Sequence, residues 1–288
     1  MRTPSQSGSA RIRHSLKGAK IRMEKTSTDF LSRRTFIAGS AATAAAAATT
    51  QPTWSKGERH MTVCVLGATG MVGNAVLKEL LNAGHRVIAV SRSTEKLADI
   101  RSRYGSKSIE TLVGDVASDD TATKLREALL GQFGKPDGVV AALSSPTVDR
   151  PTKVLGSPTE LLRQTFDSNF YPHVVAAKAL IPQLGEGGVY IGINGGLPDF
   201  VLPGMANVTM TQSALRSLYL ALAQEASDLK CQVRMLGIFG LVATQEHPPR
   251  DANRSIPDHD VGHRVLEILR NPTQFPGPLL SIKAHAYS

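Results

Sequence analysis

The chain has 288 residues, enough for one large domain or two small ones, and its 41% hydrophobic and 20% charged residues are typical of an ordinary globular protein. The net charge of +9 is concentrated at one end, because residues 1–60 hold 11 basic and 3 acidic residues while the remainder holds 22 and 21. This distribution argues against a nucleic-acid-binding protein. Cys64 and Cys231 lie in apolar runs, and no Cys/His spacing indicates a zinc site or a disulfide framework.

Residues 1–60 are predicted to form a leader. Arg33 and Arg34, followed by Phe36 and a small-residue stretch over 38–48, resemble a twin-arginine export signal. The stretch is too short and too weakly apolar for a stable membrane span. The signal predicts a periplasmic or otherwise exported protein, and translation from Met61 would instead give a cytoplasmic one. The alternative is a low-complexity alanine extension that targets nothing.

A glycine-rich turn follows the first apolar run, 62–66, and precedes a helical pattern. In this context Gly67, Gly70 and Gly73 form the strand-turn-helix pattern that is typical of dinucleotide binding. The glycines permit a tight turn, a close approach of pyrophosphate to the backbone, and close packing of the new helix. The alternative is a purely structural turn. The candidate cofactor-binding residues in this segment are Gly67, Thr69, Gly70, Met71, Val72 and Gly73.

Strands and helices alternate along the rest of the chain. The fold class is predicted as α/β: a single doubly wound, parallel-sheet Rossmann domain over 61–288. Strands are predicted at 62–66, 86–91, 110–113, 138–143, 188–193, 231–238 and 278–282. Helices are predicted at 74–83, 95–104, 120–130, 159–181, 205–228 and 260–269.

The second strand ends in Ser91 and Arg92, where the adenosine ribose of a dinucleotide would lie. Arginine pairs with the 2′-phosphate of NADP, whereas an acidic residue would accept from the ribose hydroxyl of NAD, so NADP is preferred over NAD. The alternative for Arg92 is a solvated side chain. Asp115 and Val116, after the third strand, are candidates for contact with adenine, and an exposed turn is the competing interpretation for Asp115.

These pieces, from Met61 to about Ile282, resemble the short-chain dehydrogenase/reductase superfamily. The matching segments include 166–170, 214–216 and 240–244. The resemblance implies that Asn169 kinks its helix and holds a water in a proton relay, and that Thr244 contacts the nicotinamide carboxamide. It also implies cofactor contact at Ala142 and a homo-oligomer that pairs through the long helices at 159–181 and 205–228.

Three positions depart from the family pattern, which needs a Tyr as acid/base, a Lys four residues later, and a Ser about thirteen residues before the Tyr. In this chain the corresponding residues are Val208, Gln212 and Gly195. The fourth catalytic position of the family, an asparagine, is retained as Asn169. Valine cannot carry a proton, and glutamine supplies no charge to lower a pKa. The usual mechanism of carbonyl reduction is therefore not expected from these positions.

Three functions follow from this pattern. The first is an NADP-dependent oxidoreductase of the short-chain type, acting on a small molecule with a relocated or substrate-borne proton donor. The second is a non-catalytic nucleotide-binding sensor or pseudo-enzyme. The third is a lyase or isomerase on the same scaffold. The segment 197–207 is expected to line an apolar substrate pocket, and 240–256 is expected to act as a mobile lid.

Overall fold

A computed structural model describes residues 60–105, 109–145, 153–199 and 202–288. The predicted leader therefore lies outside the described residues except for His60, and its export signal stays a prediction. Seven parallel strands form the central sheet in the order β3-β2-β1-β4-β5-β6-β9. Their bounds are β1 Thr62–Leu66, β2 Arg86–Ser91, β3 Ile109–Val113, β4 Gly138–Ala141, β5 Val189–Gly195, β6 Gln232–Phe239 and β9 Leu279–Lys283.

Helices connect these strands. Their bounds are α1 Met71–Asn82, α2 Thr94–Tyr104, α3 Asp119–Phe133, α4 Thr159–Asn169, α5 Tyr171–Leu180, α6 Ala206–Glu225 and α7 Asp258–Arg270. Two short strands, β7 Leu241–Ala243 and β8 Ser255–Pro257, pair in parallel outside the main sheet. The predicted α/β doubly wound fold is confirmed.

The order of strands along the sheet reverses between β1 and β4, which pair with each other although they are far apart in sequence. From β1 the chain proceeds outward through β2 to β3, and it then crosses to β4 and proceeds the other way. In open α/β sheets, ligands bind beyond the carboxyl ends of the strands at such a reversal. The glycine turn that follows β1 lies at this point.

The core has two halves because the sheet is buried on both faces. Alternate residues of β1 belong to different halves: Cys64 and Leu66 pack on one face, and Val63 and Val65 on the other. The first face is covered by apolar residues of α3, α5 and α6, and the second by those of α1, α2 and α7. Burial on both faces explains why the sequences of the strands are continuous apolar runs rather than alternating ones.

The helix predicted over 159–181 is broken in two. α4 ends at Asn169, and α5 begins at Tyr171. Pro172 has no backbone N–H to continue the hydrogen-bond ladder, and the N–H of His173 donates to the carbonyl of Phe170 instead. The break lies at the residue that the family resemblance identifies as a helix kink. Two other differences are smaller: α1 begins at Met71 rather than at 74, and the predicted lid contains the β7–β8 pair.

A buried polar chain crosses the core on the α5–α6 side of the sheet. The Tyr219 hydroxyl lies 2.8 Å from Nδ1 of His173, and Nε2 of His173 lies 2.9 Å from the carbonyl oxygen of Leu143. Since a carbonyl only accepts, Nε2 carries the proton and Nδ1 accepts from Tyr219. Burial lowers the pKa of His173 to about 4, so the imidazole is neutral.

Among the described helices, none combines the length and apolar character that crossing a bilayer requires. In the same ranges, no three His, Cys, Asp or Glu side chains come together as ligands of a metal ion would. Both cysteines are buried free thiols, and burial raises the pKa of Cys64 to about 12.

The packing of α7 against α1 gives a test of the fold. A Cβ on Gly262 would lie 2.6 Å from the carbonyl oxygen of Ala75, so Gly262→Ala is expected to lower the free energy of unfolding by about 1–3 kcal/mol. Gly131 is an exposed glycine in α3, and in the described part of the chain no atom beyond its own helix backbone lies within 4 Å of its Cβ position. Gly131→Ala is therefore expected to raise the free energy of unfolding by about 0.5–1 kcal/mol. Urea unfolding measures the free energy of unfolding of both variants. Changes of the same sign in the two variants would contradict the packing of α7 on α1.

The buried imidazole predicts a pH dependence of stability. An unfolded histidine binds its proton near pH 6.5, whereas folded His173 binds it only near pH 4. Between these values the unfolded state holds more protons, so the free energy of unfolding is expected to fall by about 3 kcal/mol as pH drops from 6.5 to 4. His173→Gln should flatten this dependence, and the exposed control His285→Gln should not. If the free energy of unfolding depends on pH equally in the wild type and in both variants, the pH dependence does not come from His173.

Candidate functional site

Two glycines of the turn are required by the packing of the chain on itself. Gly67 has a positive φ of 71°, and a Cβ there would lie 2.2 Å from the carbonyl oxygen of Ala142, just beyond β4. A Cβ on Gly73 would lie 2.1 Å from the carbonyl oxygen of Gly67. These contacts bring the start of α1 against the ends of β1 and β4. They place Ala142, a predicted cofactor contact, directly beside the turn.

Gly70 has a different role, because among the described residues the carbonyl oxygen of Gly67, at 3.3 Å, is the one atom outside its chain neighbours that lies within 4 Å of its Cβ position. Gly70 is exposed and begins α1 without a side-chain cap. Among the described residues, no backbone carbonyl accepts from the amides of Met71, Val72 and Gly73. Uncapped amides and the positive end of a helix dipole attract an anion, and the missing side chain leaves room for it. This cradle fits a dinucleotide pyrophosphate.

The turn is joined to the end of β2. The hydroxyl oxygen of Thr69 lies 3.1 Å from that of Ser91, which also accepts from the N–H of Ser93 at 3.3 Å. Arg92, between the two serines, is exposed. The structure therefore brings together the predicted residues of the glycine turn and of the second strand.

An open pocket of about 520 Å³ lies beside Arg92, between the ends of β2 and β3 and helix α3. It contains two cations, Arg92 and Lys124, and no described residue forms an ion pair with either. One carboxylate oxygen of Asp115 accepts from the N–H of Val116 at 2.8 Å, which leaves the other oxygen for a ligand. Val116 is buried in the core. The pocket is lined by Arg92, Val113, Gly114, Asp115, Thr121, Lys124, Leu125 and Ala128.

Asn169 is buried at the end of α4, 6% exposed. Its side-chain oxygen accepts from the N–H of Ser145 at 2.6 Å, which ties the helix break to the loop after β4. Nε2 of His173, one turn further on, donates to the carbonyl of Leu143 in the same loop. The loop beyond β4 is therefore anchored twice from the α4–α5 segment.

Gly195 and Gln212, two of the departures from the family pattern, are in contact. A Cβ on Gly195 would lie 2.2 Å from Nε2 and 2.5 Å from Oε1 of Gln212. The Gln212 side chain therefore fills the space that a serine at 195 would need. Its Oε1 accepts from the N–H of Leu197 at 3.1 Å, so the carboxamide is held against the end of β5. The positions that the family resemblance assigns to a serine and a lysine are therefore in direct contact in this chain.

Val208 lies one helical turn before Gln212, on the same face of α6. Its side chain is buried, 5% exposed, and carries no polar atom. The three positions predicted to depart from the family pattern, Gly195, Val208 and Gln212, thus present a hydrogen, a branched apolar side chain and an amide. None of these groups gains or loses a proton in the range where proteins are folded.

Thr244 follows β7 and forms a local turn. Its hydroxyl accepts from the N–H of His247 at 2.9 Å, and its own N–H donates to the carbonyl of His247 at 2.9 Å. The Thr244 hydroxyl oxygen also lies 3.5 Å from Nδ1 of His247, and its contact with the nicotinamide carboxamide stays a prediction.

Sequence reasoning missed three features of the site. Lys124 looked like an ordinary exposed residue of α3, and its place beside Arg92 depends on how α3 crosses the sheet. The contact between Gly195 and Gln212 joins residues on different elements. His173 is buried and bonded on both ring nitrogens, and no local pattern in the sequence distinguishes it from a surface residue.

Comparison with known proteins places this geometry in a family. The model of the short chain dehydrogenase family matches residues 61–253. A protein from Methylorubrum extorquens described as an uncharacterized oxidoreductase is 30% identical over 188 residues, which cover 63% of this chain and 73% of the relative. The NADPH-dependent pterin aldehyde reductase of Arabidopsis thaliana is 25% identical over 170 residues, covering 58% of this chain and 69% of the relative.

Solved structures agree on the fold. A short-chain dehydrogenase/reductase from Serratia marcescens superposes with a TM-score of 0.70 at 18% identity, covering 79% of this chain and 98% of the other. A blue fluorescent protein from a metagenomic library, solved in complex with NADPH, gives 0.68 at 15% identity, covering 78% and 97%. The turn after β1, the parallel sheet and the matched family model lead to one conclusion: the chain belongs to the short-chain dehydrogenase family.

Proposed function

We propose that this protein is an NADP(H)-dependent oxidoreductase that acts on a small molecule through an atypical active site. The observation that carries the cofactor choice is the pair of cations, Arg92 and Lys124, in one open pocket beside the glycine turn. The NADP and NAD cofactors differ only in a 2′-phosphate on the adenosine ribose, so the charge of this pocket decides between them.

Arg92 follows the end of β2, where the ribose of a dinucleotide lies. A guanidinium binds phosphate oxygens in pairs and keeps its charge at every physiological pH. Lys124 supplies a second positive charge from α3. A ribose with free hydroxyls would find no carboxylate at the strand end, because the first acidic residue after Ser91 is Glu95 in α2.

The rest of the cofactor site uses backbone groups. The amides of Met71, Val72 and Gly73 would hold the pyrophosphate, and the free oxygen of Asp115 would accept from the adenine amino group. When bound, the nicotinamide ring supplies or receives a hydride. The chain's own residues would bind the cofactor and orient its ring. Asn169 and His173 fix the loop beyond β4, and the nicotinamide ring would lie next to this loop.

One relative supports this choice of cofactor. The Arabidopsis thaliana protein, 25% identical, is described as an NADPH-dependent reductase of a pterin aldehyde. Its name gives a precedent for NADP(H) in a related chain. The substrate of this chain does not follow from it.

A second candidate function is a non-catalytic NADP(H)-binding protein. The observation that favours it is the contact between Gly195 and Gln212, which fills the place of the family's serine and leaves an uncharged amide in place of its lysine. Both candidates require NADP(H) binding. Turnover distinguishes them, because only the oxidoreductase oxidises NADPH when an acceptor is added.

The charge of the adenosine pocket gives a test of the cofactor. Arg92→Gln is expected to weaken NADPH binding by about 10–100-fold, since a hydrogen bond to a charged group contributes about 1.5–3 kcal/mol, and to leave NADH binding unchanged. Lys124→Gln should have a smaller effect in the same direction. Calorimetric titration of the full chain with each cofactor measures both, with Arg103→Gln, an exposed arginine in the last turn of α2, as control. Equal loss of NADH affinity in Arg92→Gln would contradict the proposal.

The glycine turn gives a second test. Gly70→Val is expected to weaken the binding of NADPH and NADH alike by more than about tenfold while the protein remains folded, because the pyrophosphate would lie beside Gly70 and the nearest described atom, the carbonyl oxygen of Gly67, lies 3.3 Å from the new Cβ. Gly73→Ala should instead lower the melting temperature, because the new Cβ would meet the backbone of Gly67. Thermal unfolding and calorimetry separate the two outcomes. Undiminished binding in Gly70→Val would remove the glycine turn from the cofactor site.

A further inference from the structure

The loop beyond β4 touches the glycine turn on one side. Its described part is residues 142–145. The carbonyl oxygen of Ala142 lies against the Cβ position of Gly67, and Cδ2 of Leu143 lies 3.8 Å from the same position. Since β4 and β2 lie on opposite sides of β1, this loop and Arg92 lie on opposite sides of the strand-order reversal. The loop therefore borders the half of a dinucleotide site that lies away from the adenosine pocket.

One backbone group of this loop is held from inside the core. Nε2 of His173 donates to the carbonyl oxygen of Leu143 at 2.9 Å, and the hydroxyl of Tyr219 donates to Nδ1 of the same ring at 2.8 Å. His173 and Tyr219 both have 0% exposure, so bulk water does not compete for these hydrogen bonds. The two bonds span 30 and 46 residues of sequence. They connect the Leu143 carbonyl to α5 and, through the imidazole, to α6.

Strand β5 provides the space for the tyrosine. A Cβ on Gly192 would overlap the ring and the hydroxyl of Tyr219, so this side chain needs a glycine at 192. The ring of Tyr190, also in β5, has its centre 6.3 Å from that of Tyr219. The imidazole of His173 meets the Tyr219 ring edge-on, with 5.9 Å between the ring centres. Because a close-packed core restricts side-chain rotation, the hydroxyl stays directed at Nδ1.

The tyrosine hydroxyl also determines which ring nitrogen of His173 carries the proton. Burial lowers the pKa of His173 to about 4, so the ring is neutral at pH 7 and has one N–H. A hydroxyl that donates to Nδ1 keeps this N–H on Nε2, where it can donate to Leu143. Without the hydroxyl, the tautomer with its proton on Nδ1 becomes available, and that tautomer cannot hold the carbonyl. Tyr219 therefore favours the state of the imidazole that fixes the loop.

We propose that His173 and Tyr219 are positioning residues for the nicotinamide mononucleotide half of NADP(H), acting through the backbone of Leu143. This half consists of one phosphate, the second ribose and the nicotinamide ring. The other half, with its 2′-phosphate, is assigned to the Arg92 pocket, whose described lining includes neither His173 nor Tyr219. The pair should therefore affect the binding of one half of the cofactor and leave the other unchanged. This inference rests on the proposed NADP(H)-dependent function.

The test compares two ligands by calorimetry of the full chain at pH 7. NADPH contains both halves of the cofactor, whereas 2′,5′-ADP contains only the adenosine half with its 2′-phosphate. His173→Asn is expected to weaken NADPH binding by about tenfold or more, because the shorter amide does not reach the carbonyl of Leu143. The affinity for 2′,5′-ADP should stay within about twofold of that of the wild type. Retained 2′,5′-ADP binding also shows that the variant is folded.

Three further variants complete the comparison. His173→Gln is the matched partner of His173→Asn, since its longer side chain can place an amide N–H near the position of Nε2, and it should keep NADPH affinity within about threefold. Tyr219→Phe removes only the hydroxyl and is expected to weaken NADPH binding by about three- to tenfold, with no effect on 2′,5′-ADP. Arg92→Gln should show the opposite pattern, a loss of affinity for both ligands, because both carry the 2′-phosphate.

Unchanged NADPH affinity in His173→Asn, or equal weakening of both ligands, would overturn the inference. A loss in His173→Gln as large as that in His173→Asn would also overturn it, because the hydrogen bond to Leu143 would then have no influence. If His173→Asn does not fold, Tyr219→Phe decides, and unchanged NADPH affinity in that variant counts against the inference. Absence of binding of both ligands to the wild-type chain would instead overturn the proposed function itself.

Discussion

The close approach of Gly67 to Ala142 is the constraint on which the cofactor site depends. The gap between the turn after β1 and the end of β4 is too narrow for a side chain on Gly67. The backbone therefore passes from β1 to α1 directly beside the end of β4. This approach lies at the reversal of strand order, where ligands bind in open α/β sheets. The start of α1 is then aimed across the crevice, with Gly73 packed on Gly67. Every group assigned to the cofactor is positioned relative to this contact.

The two ends of the crevice have different chemical character. The adenosine end is polar and positively charged, with Arg92 and Lys124 in an open pocket. At the end where α6 begins, Val208 is apolar and uncharged, and the side chains of Asn194 and Gln212 are bonded to neighbouring backbone groups. Affinity for a charged ligand is therefore concentrated away from the place where a reaction would occur.

Local patterns in the sequence were sufficient for the architecture. Strand β2 was predicted with its observed bounds, since an apolar run between a glycine and a polar turn leaves little choice. The helix at 159–181 was predicted as one piece, because apolar periodicity continues across Asn169 and gives no weight to the missing N–H of Pro172. The start of α1 was predicted too late, because the glycines of its first turn have a low helix propensity.

The site could be predicted only where its residues are close in sequence or belong to a known motif. Gly67 to Gly73 and Arg92 were found in this way. The placement of Lys124 beside Arg92 depends on the packing of α3. The contact of Gln212 with Gly195 depends on the distance between α6 and β5, and no periodicity encodes that distance.

The contact of Gly195 with Gln212 also restricts how this sequence can change over evolutionary time. A serine at 195 meets the glutamine side chain, and a lysine at 212 loses the bond to Leu197 unless its neighbours adjust. Each single substitution therefore changes the contact between the two positions, and the double substitution replaces both partners of that contact. The effect of one substitution depends on the residue at the other position, which is epistasis.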